Sequence, residues 1–344
     1  MNSALRLPSL DLPDPRTAPP LGWGIVGPGW IASQFATSLI NLTNSRVAAV
    51  GSRTEQRSAD FALRFGDSQT AAYGSYAQVF SDPAVDAVYV AVPHSGHHEL
   101  ALAAIAAGKP VLVEKPLALN AEQAAQIAQA ARDAGVFAME ALWSRALPSG
   151  RVIKEVLERG LLGEVLTVHG DFGSCVEFDP ASRLFDPALG GGALLDLGVY
   201  PVALASLVSP AQQVLHASGR LAPTGVDSTV NALLLNQNGS TASIFTSVET
   251  QTPQRTWIGG TRATLEIERA IYAPAQLVLR DADGQIVDTQ DFTEQSPAAG
   301  LGWEAAHVAT CLAAGLLESE LLPLDESVSI ARTLDQIAAQ LRSA

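Results

Sequence analysis

Between residues 21 and 139, short and nearly continuous apolar runs alternate with segments of helical period. The runs at about 21–26, 46–51, 87–92, 110–113 and 136–139 predict strands. Little polar alternation interrupts them, as expected for parallel strands covered on both faces. The segments between them, at about 31–40, 54–65, 97–107 and 121–134, predict helices. The last has readable ends: Asn120 can cap it, Glu122 falls in its first turn and Gly135 stops it. Strand–helix–strand repeated in this order predicts an α/β domain, a doubly wound parallel sheet of Rossmann type over residues 21–147.

The pattern then changes. A helix is predicted at about 150–159 and a strand at 165–172, with an Ala/Leu-rich helix after Gly190. Further strands follow at about 214–221, 228–235, 241–248, 264–267 and 276–279. In one of them Ala242, Ile244, Thr246 and Val248 share a face. Asn236-Gln237-Asn238-Gly239 and Asp283-Gly284 are hairpin signals. Residues 148–344 therefore read as an α+β domain with a large, mostly antiparallel open sheet. Its last helix, at about 325–341, is amphipathic by spacing (Val328, Ala331, Leu334, Ile337, Leu341) and is a candidate to pack back on the Rossmann domain. Residues 1–20 are proline-rich and aperiodic, and form an arm that is either a loose leader or a strap on a partner subunit.

Composition narrows the function. The 344 residues are 47% hydrophobic and 16% charged, enough for a large core. A formal charge of -14 argues against nucleic acid or an anionic membrane as partner. No run approaches the roughly 20 apolar residues of a membrane span, and no secretory leader is evident. With only Cys175 and Cys311 there is no disulfide framework, so a cytoplasmic location is expected.

Gly27-Pro28-Gly29-Trp30-Ile31-Ala32 fits the dinucleotide fingerprint G-x-G-x-x-G/A, directly after a predicted strand and before a helix. Gly27 permits the tight turn, Gly29 lets backbone approach a pyrophosphate, and Ala32 lets helix and strand pack closely. The helix N-terminus offers N–H groups to the phosphates. After the second strand, where an NAD site places a carboxylate for the ribose 2′-hydroxyl, this chain has Ser52, Arg53 and Thr54. A guanidinium and two hydroxyls suit a 2′-phosphate, so NADP is expected over NAD.

Glu114-Lys115-Pro116 follows another predicted strand, at the sheet end where ligands bind. In the Gly190–Pro201 segment, Asp196 and Tyr200 are spaced i, i+4 on a helix. Together with the fingerprint, these motifs resemble the Gfo/Idh/MocA family of NAD(P)-dependent oxidoreductases, from Leu21 to the C-terminus. Met139–Arg145 and Arg183–Pro187 bring the likeness nearer the branch of dihydrodiol dehydrogenases, NADP-xylose dehydrogenases and glucose–fructose oxidoreductases. The broader family often has His where Tyr200 stands, which makes an inositol dehydrogenase less expected. The resemblance implies Lys115, Asp196 and Tyr200 as the catalytic group. It places the loop of Pro93, His94 and His97, together with Glu114, against the cofactor. Trp143, Arg145, Phe172, Arg183 and Phe185 are substrate-pocket candidates. It further implies a carbohydrate or cyclic-diol substrate and a homodimer, or dimer of dimers, through the second domain's sheet.

The residue chemistry agrees. A free tyrosine has a pKa of about 10, and a nearby ammonium favours its phenolate, so Lys115 can make Tyr200 a usable base. His94, His97, His98 and Glu99 lie too close together along one helix start to converge on a metal, so no metal is expected. Two other readings remain open: a cofactor-bound sensor without turnover, and a sugar–sugar oxidoreductase that keeps its NADP.

Overall fold

The computed structural model describes residues 5–343 apart from Arg269 and Pro297. The chain forms two compact units. The first comprises Pro13–Ala146 and Ala298–Val328; the second holds the chain up to Leu12, residues 147–297, and from Ser329 onward.

In the first unit, β1 (Gly22–Val26), α1 (Trp30–Leu42), β2 (Arg46–Gly51), α2 (Glu55–Phe65), β3 (Ala71–Tyr73), α3 (Tyr76–Ser81), β4 (Ala87–Val90), α4 (His97–Ala106), β5 (Val111–Glu114), α5 (Ala121–Ala134) and β6 (Ala138–Ala141) follow in order. The strands form one sheet, β3-β2-β1-β4-β5-β6, with every pairing parallel. The order reverses between β1 and β4, the switch point at which such sheets bind ligands. Strands β1, β4, β5 and β6 are buried throughout, which explains their unbroken apolar sequence. Asn120 accepts a hydrogen bond from the Gln123 N–H, and Gly135 closes α5 at φ +63°, so both ends of that helix are set as its sequence implies.

The second unit contains α6 (Pro148–Glu158), β7 (Val165–Gly173), α7 (Val199–Val208), β8 (Gln212–Leu221), β9 (Asp227–Asn236), β10 (Thr241–Ser247), β11 (Thr256–Gly260), β12 (Ala263–Glu268), β13 (Gln276–Asp281) and β14 (Ile286–Asp291). Its eight-stranded sheet runs β14-β13-β12-β11-β7-β10-β9-β8 and is antiparallel except where β10 meets β7. Along β9, Ser228, Val230, Ala232, Leu234 and Asn236 are buried, and the alternate residues form an open outer face. That face carries Leu233, 42% exposed, with Leu235, Phe245 and a stacked pair, His169 and Trp257.

The chain then returns to the first unit as α8 (Ala299–Ala313) before α9 (Leu324–Ser343). The helix α8 was not expected there, because residues 148–344 read as one domain. Its Leu301, Ala305, Val308 and Cys311 join Trp23, Phe35 and Leu39 in the first unit's core. From Ser329 onward α9 belongs to the second unit, where Gln340 accepts from the Ala217 N–H at 2.7 Å.

The arm is tied to its own chain. Its first four residues lie outside the described set. Leu7 is buried; its N–H donates to Asp288 at 2.9 Å, and the Gln290 amide donates to the Pro8 carbonyl at 3.0 Å, both on edge strand β14. Within the first unit, Arg16 donates to the Asn41 carbonyl at 2.6 Å.

Among the described residues one helical stretch, Pro187–Val208, is long and apolar enough to cross a membrane, contrary to the expectation that none would be. It is 72% buried inside the protein and supplies a wall of the second unit's core.

Candidate active site

The fingerprint sits at the carboxyl end of β1. Gly27 has φ +87°, and a Cβ there would meet the Ala91 carbonyl at 2.9 Å, so only glycine fits this turn. At Gly29 the situation is opposite: a Cβ would point into open space, with nothing nearer than the Gly27 oxygen at 3.9 Å. That open cradle faces the start of α1, whose N-cap is Gly29 and which no side chain caps. The first N–H groups of α1 are thus available to a phosphate. Ala32 is buried, Ile31 packs on the core and Trp30 is 74% exposed beside the cradle. These residues fit a dinucleotide.

Beyond β2, Ser52 is buried and its hydroxyl accepts the Thr54 N–H at 3.4 Å, whereas Arg53 is exposed. Thr54 caps α2 by position without a side-chain hydrogen bond. At the end of β4, Pro93 precedes a single 3-10 turn, His94–Gly96. The His97 ring is fully buried, with Nδ1 2.8 Å from the Pro116 carbonyl and Nε2 2.9 Å from the Val92 carbonyl. Both nitrogens are engaged by the backbone, so His97 braces two loops. His94 packs edge-on against it.

Lys115 follows β5, and the Lys115–Pro116 peptide bond is cis. The backbone around it is held on several sides. The Lys115 N–H donates to its neighbour Glu114 at 3.2 Å, and the Leu117 N–H donates to Glu140 of β6 at 2.9 Å. The Tyr89 hydroxyl donates to Glu114.

In the second unit, Asp196 lies in a π turn, Leu194–Gly198, that runs into α7, and Tyr200 stands in the first turn of α7. Such widened turns cluster at functional sites. Both side chains are buried, and Arg183 donates to Asp196 at 3.1 Å. The ring of Tyr200 meets those of Phe172 at 5.8 Å and Tyr272 at 5.5 Å, and the latter two stack at 4.8 Å. Burial pushes the Tyr272 phenol above its ordinary value. The turn before Asp196 is built on Gly192 at φ +120° and on Asp227, which accepts the Leu194 N–H at 2.6 Å. Burial, opposed by these backbone N–H groups, holds the Asp227 carboxyl above the usual range.

Other candidates are placed differently from what the sequence suggested. Arg145 is buried in the first unit and committed to Glu326 at 2.5 Å, with the Leu321 carbonyl at 3.5 Å. Its guanidinium ties the end of β6 to the start of α9. Phe185 is a core residue among Leu184, Ala193, Val226 and Val248, edge-on to Phe178. Trp143 is partly buried against the first unit's core. Sequence reasoning missed Tyr272, Asp227 and the buried acids Glu140 and Glu304. A charged residue inside the apolar strand 138–141, and another inside an otherwise apolar helix, were the available signals.

Residues 21–142 match the family described as "Oxidoreductase family, NAD-binding Rossmann fold", and residues 151–266 match the GFO/IDH/MocA C-terminal domain. Trans-1,2-dihydrobenzene-1,2-diol dehydrogenase of Mus musculus is 37% identical over 323 residues, covering 92% of this chain and 95% of that protein.

The chain belongs to the Gfo/Idh/MocA oxidoreductase family.

The Homo sapiens protein of the same name is 33% identical, covering 92% of this chain and 96% of that one. Among solved structures, a 3-ketoreductase from Actinomadura kijaniata in complex with NADP and TDP-benzene superposes with a TM-score of 0.82 at 26% identity, covering 94% of this chain and 98% of that one. The first unit of this family member is accordingly its NAD(P)-binding Rossmann fold, and the protein is an oxidoreductase.

Proposed function

We propose that this enzyme uses NADP to interconvert a carbinol and a carbonyl on a cyclic trans-diol or a sugar ring, with Tyr200 as the acid–base and Lys115 assisting it. The observation that carries the reading is the likeness to trans-dihydrobenzenediol dehydrogenases along 92% of the chain. Gly27, Gly29 and the N-terminus of α1 would hold the pyrophosphate, and Ser52, Arg53 and Thr54 would hold the 2′-phosphate. The NADP in the similar 3-ketoreductase supports that choice of cofactor. When bound, the nicotinamide accepts or returns the hydride. Tyr200 takes the hydroxyl proton in oxidation and returns one to the carbonyl oxygen in reduction. The Lys115 ammonium favours the phenolate; lowering a phenol's pKa by two to three units corresponds to roughly 3–4 kcal/mol. Asp196, paired to Arg183, orients a ring hydroxyl, and the rings of Phe172 and Tyr272 offer an apolar wall for the other face of a substrate ring. Structures of the similar reductase with one lysine or one tyrosine replaced point to the same two residue types.

The test is a panel of aldoses, cyclic diols and osones with NADP+ and NADPH, read at the nicotinamide absorbance. Turnover should fall at least ~100-fold in Tyr200→Phe. Undiminished turnover in that variant would remove the acid–base assignment. The outer sheet face with Leu233, Phe245 and Trp257 supports a homodimer built on it, and Leu233→Lys should then yield monomers in analytical ultracentrifugation.

A further inference from the structure

The loop that carries Lys115 rests on a buried group of carboxyls to which the reaction assigns no role. Glu140 is 1% exposed within β6, and its Oε1 accepts the Leu117 N–H two residues beyond Lys115. Glu114 is 6% exposed and receives the Lys115 N–H. Glu304 of α8 is 0% exposed, lies close enough to both to repel them, and neither of its oxygens has a hydrogen-bond partner among the described residues. Of the neighbouring carboxyls, Glu140 and Glu326 face the Arg145 guanidinium, and Glu326 is ion-paired to it, while Glu304 faces Glu114 and Glu140. Buried negative charges set against each other are costly in a low-dielectric interior, and burial raises the carboxyls of Glu140 and Glu304.

We propose that Glu140 is a positioning residue for Lys115: as a carboxylate it grips the Leu117 amide and fixes the loop, and on protonation the grip weakens and the loop loosens. The proposal rests on Lys115 acting in catalysis as described above. Glu140 is the member of the group that changes state in the working range. Burial pushes its carboxyl up to about 7, while the Ser327 hydroxyl, the Leu117 N–H and Arg145 pull it down and Glu326 raises it. Glu304, against Glu114 and Glu140, is raised well above the usual range by burial. The charged and titratable groups facing Glu140 are thus Glu304 from α8, Arg145 beyond β6 and Glu326 from α9.

Three variants of the full-length protein test this: Glu140→Gln, Glu140→Leu and Glu326→Gln. An amide still accepts from Leu117 and cannot ionise; leucine does neither. In Glu140→Leu, kcat should fall at least ~10-fold with KM and the NADPH Kd nearly unchanged. Glu140→Gln keeps a neutral acceptor, as the protonated acid does, so its kcat should stay near the wild-type low-pH level and lack the fall in activity below about pH 7. Removing the Glu326 charge frees Arg145 for Glu140, so in Glu326→Gln that fall should move to lower pH by about half a unit or more.

A second readout needs no turnover. The chain has three lysines, Lys109, Lys115 and Lys154. Amine labelling by trinitrobenzenesulfonate, read peptide by peptide, should show the Lys115 rate changing in Glu140→Leu relative to the other two. Wild-type kcat and Lys115 labelling in Glu140→Leu would overturn the proposal, as would an acid limb that stays put in both Glu140→Gln and Glu326→Gln. Failure of the parent reading appears separately, as full turnover in Lys115→Met or Tyr200→Phe with Glu140 intact.

Discussion

Glu304 offers a direct measurement of what the buried acids cost. Its carboxyl is fully buried in the first unit, with both oxygens unpartnered among the described residues. Each buried polar group without a partner costs about 1–3 kcal/mol, and methionine fills similar space with no such group. Glu304→Met should therefore raise stability by about 1–3 kcal/mol at pH 6. The gain should grow with pH. A carboxyl whose folded pKa is raised binds its proton more tightly folded than unfolded, so its contribution is intact below the unfolded pKa and is lost as pH rises through the folded value. For Glu140, moving from 4.5 to about 7, that loss is roughly 3 kcal/mol, complete just above pH 7. Glu304 is raised by burial as well, so its part is likewise lost as pH rises. Urea denaturation at pH 6 and pH 9 followed by tryptophan fluorescence reads the correct unit, because Trp23, Trp30, Trp143 and Trp303 lie in it and only Trp257 lies in the other. The wild-type midpoint should drop between the two pH values, and the drop should shrink in Glu304→Met. A variant less stable than wild type at both, or a wild-type midpoint that climbs with pH, would refute the reasoning.

Other outcomes follow from the same geometry. Arg53→Glu should lower the NADP+ to NAD+ ratio of kcat/KM at least ~10-fold, since a carboxylate repels a 2′-phosphate. Gly192→Ala forces φ +120° on a residue with a Cβ, which would stand 2.4 Å from an Asp227 oxygen. It should cost about 2–3 kcal/mol and most of the turnover, measurable by calorimetry and steady-state rates. Deleting residues 1–12 uncovers the edge strand β14, and light scattering should show self-association at protein concentrations where the intact chain is stable.

The sequence made the cofactor half legible because its strands are buried on both faces and its helices have marked ends. The missed strand Ala71–Tyr73 is three half-buried residues long, too short for any period. The strand Thr256–Gly260 ends in two glycines, and Ile286–Asp291 is polar because it lies at the sheet edge. The helix Ala299–Ala313 is buried nearly all round, so it has no polar face for a periodic pattern to reveal. Phe185 and Arg145 illustrate the limit for sites. Their motifs could be read, but whether a side chain turns inward depends on neighbours such as Val248 and Glu326, distant in the chain. Asp227 and Tyr272 stand in no motif and reach the Asp196–Tyr200 segment only through folding.

The return of the chain to complete the first unit bears on how the protein could be dissected. A fragment stopped near residue 146 would lack the helix whose Leu301, Ala305 and Val308 cover Phe35 and Leu39, leaving a greasy groove where a packed wall belongs. Synthesis must therefore run nearly to its end before the nucleotide-binding fold can close, which makes the nascent amino-terminal half a natural client for chaperones.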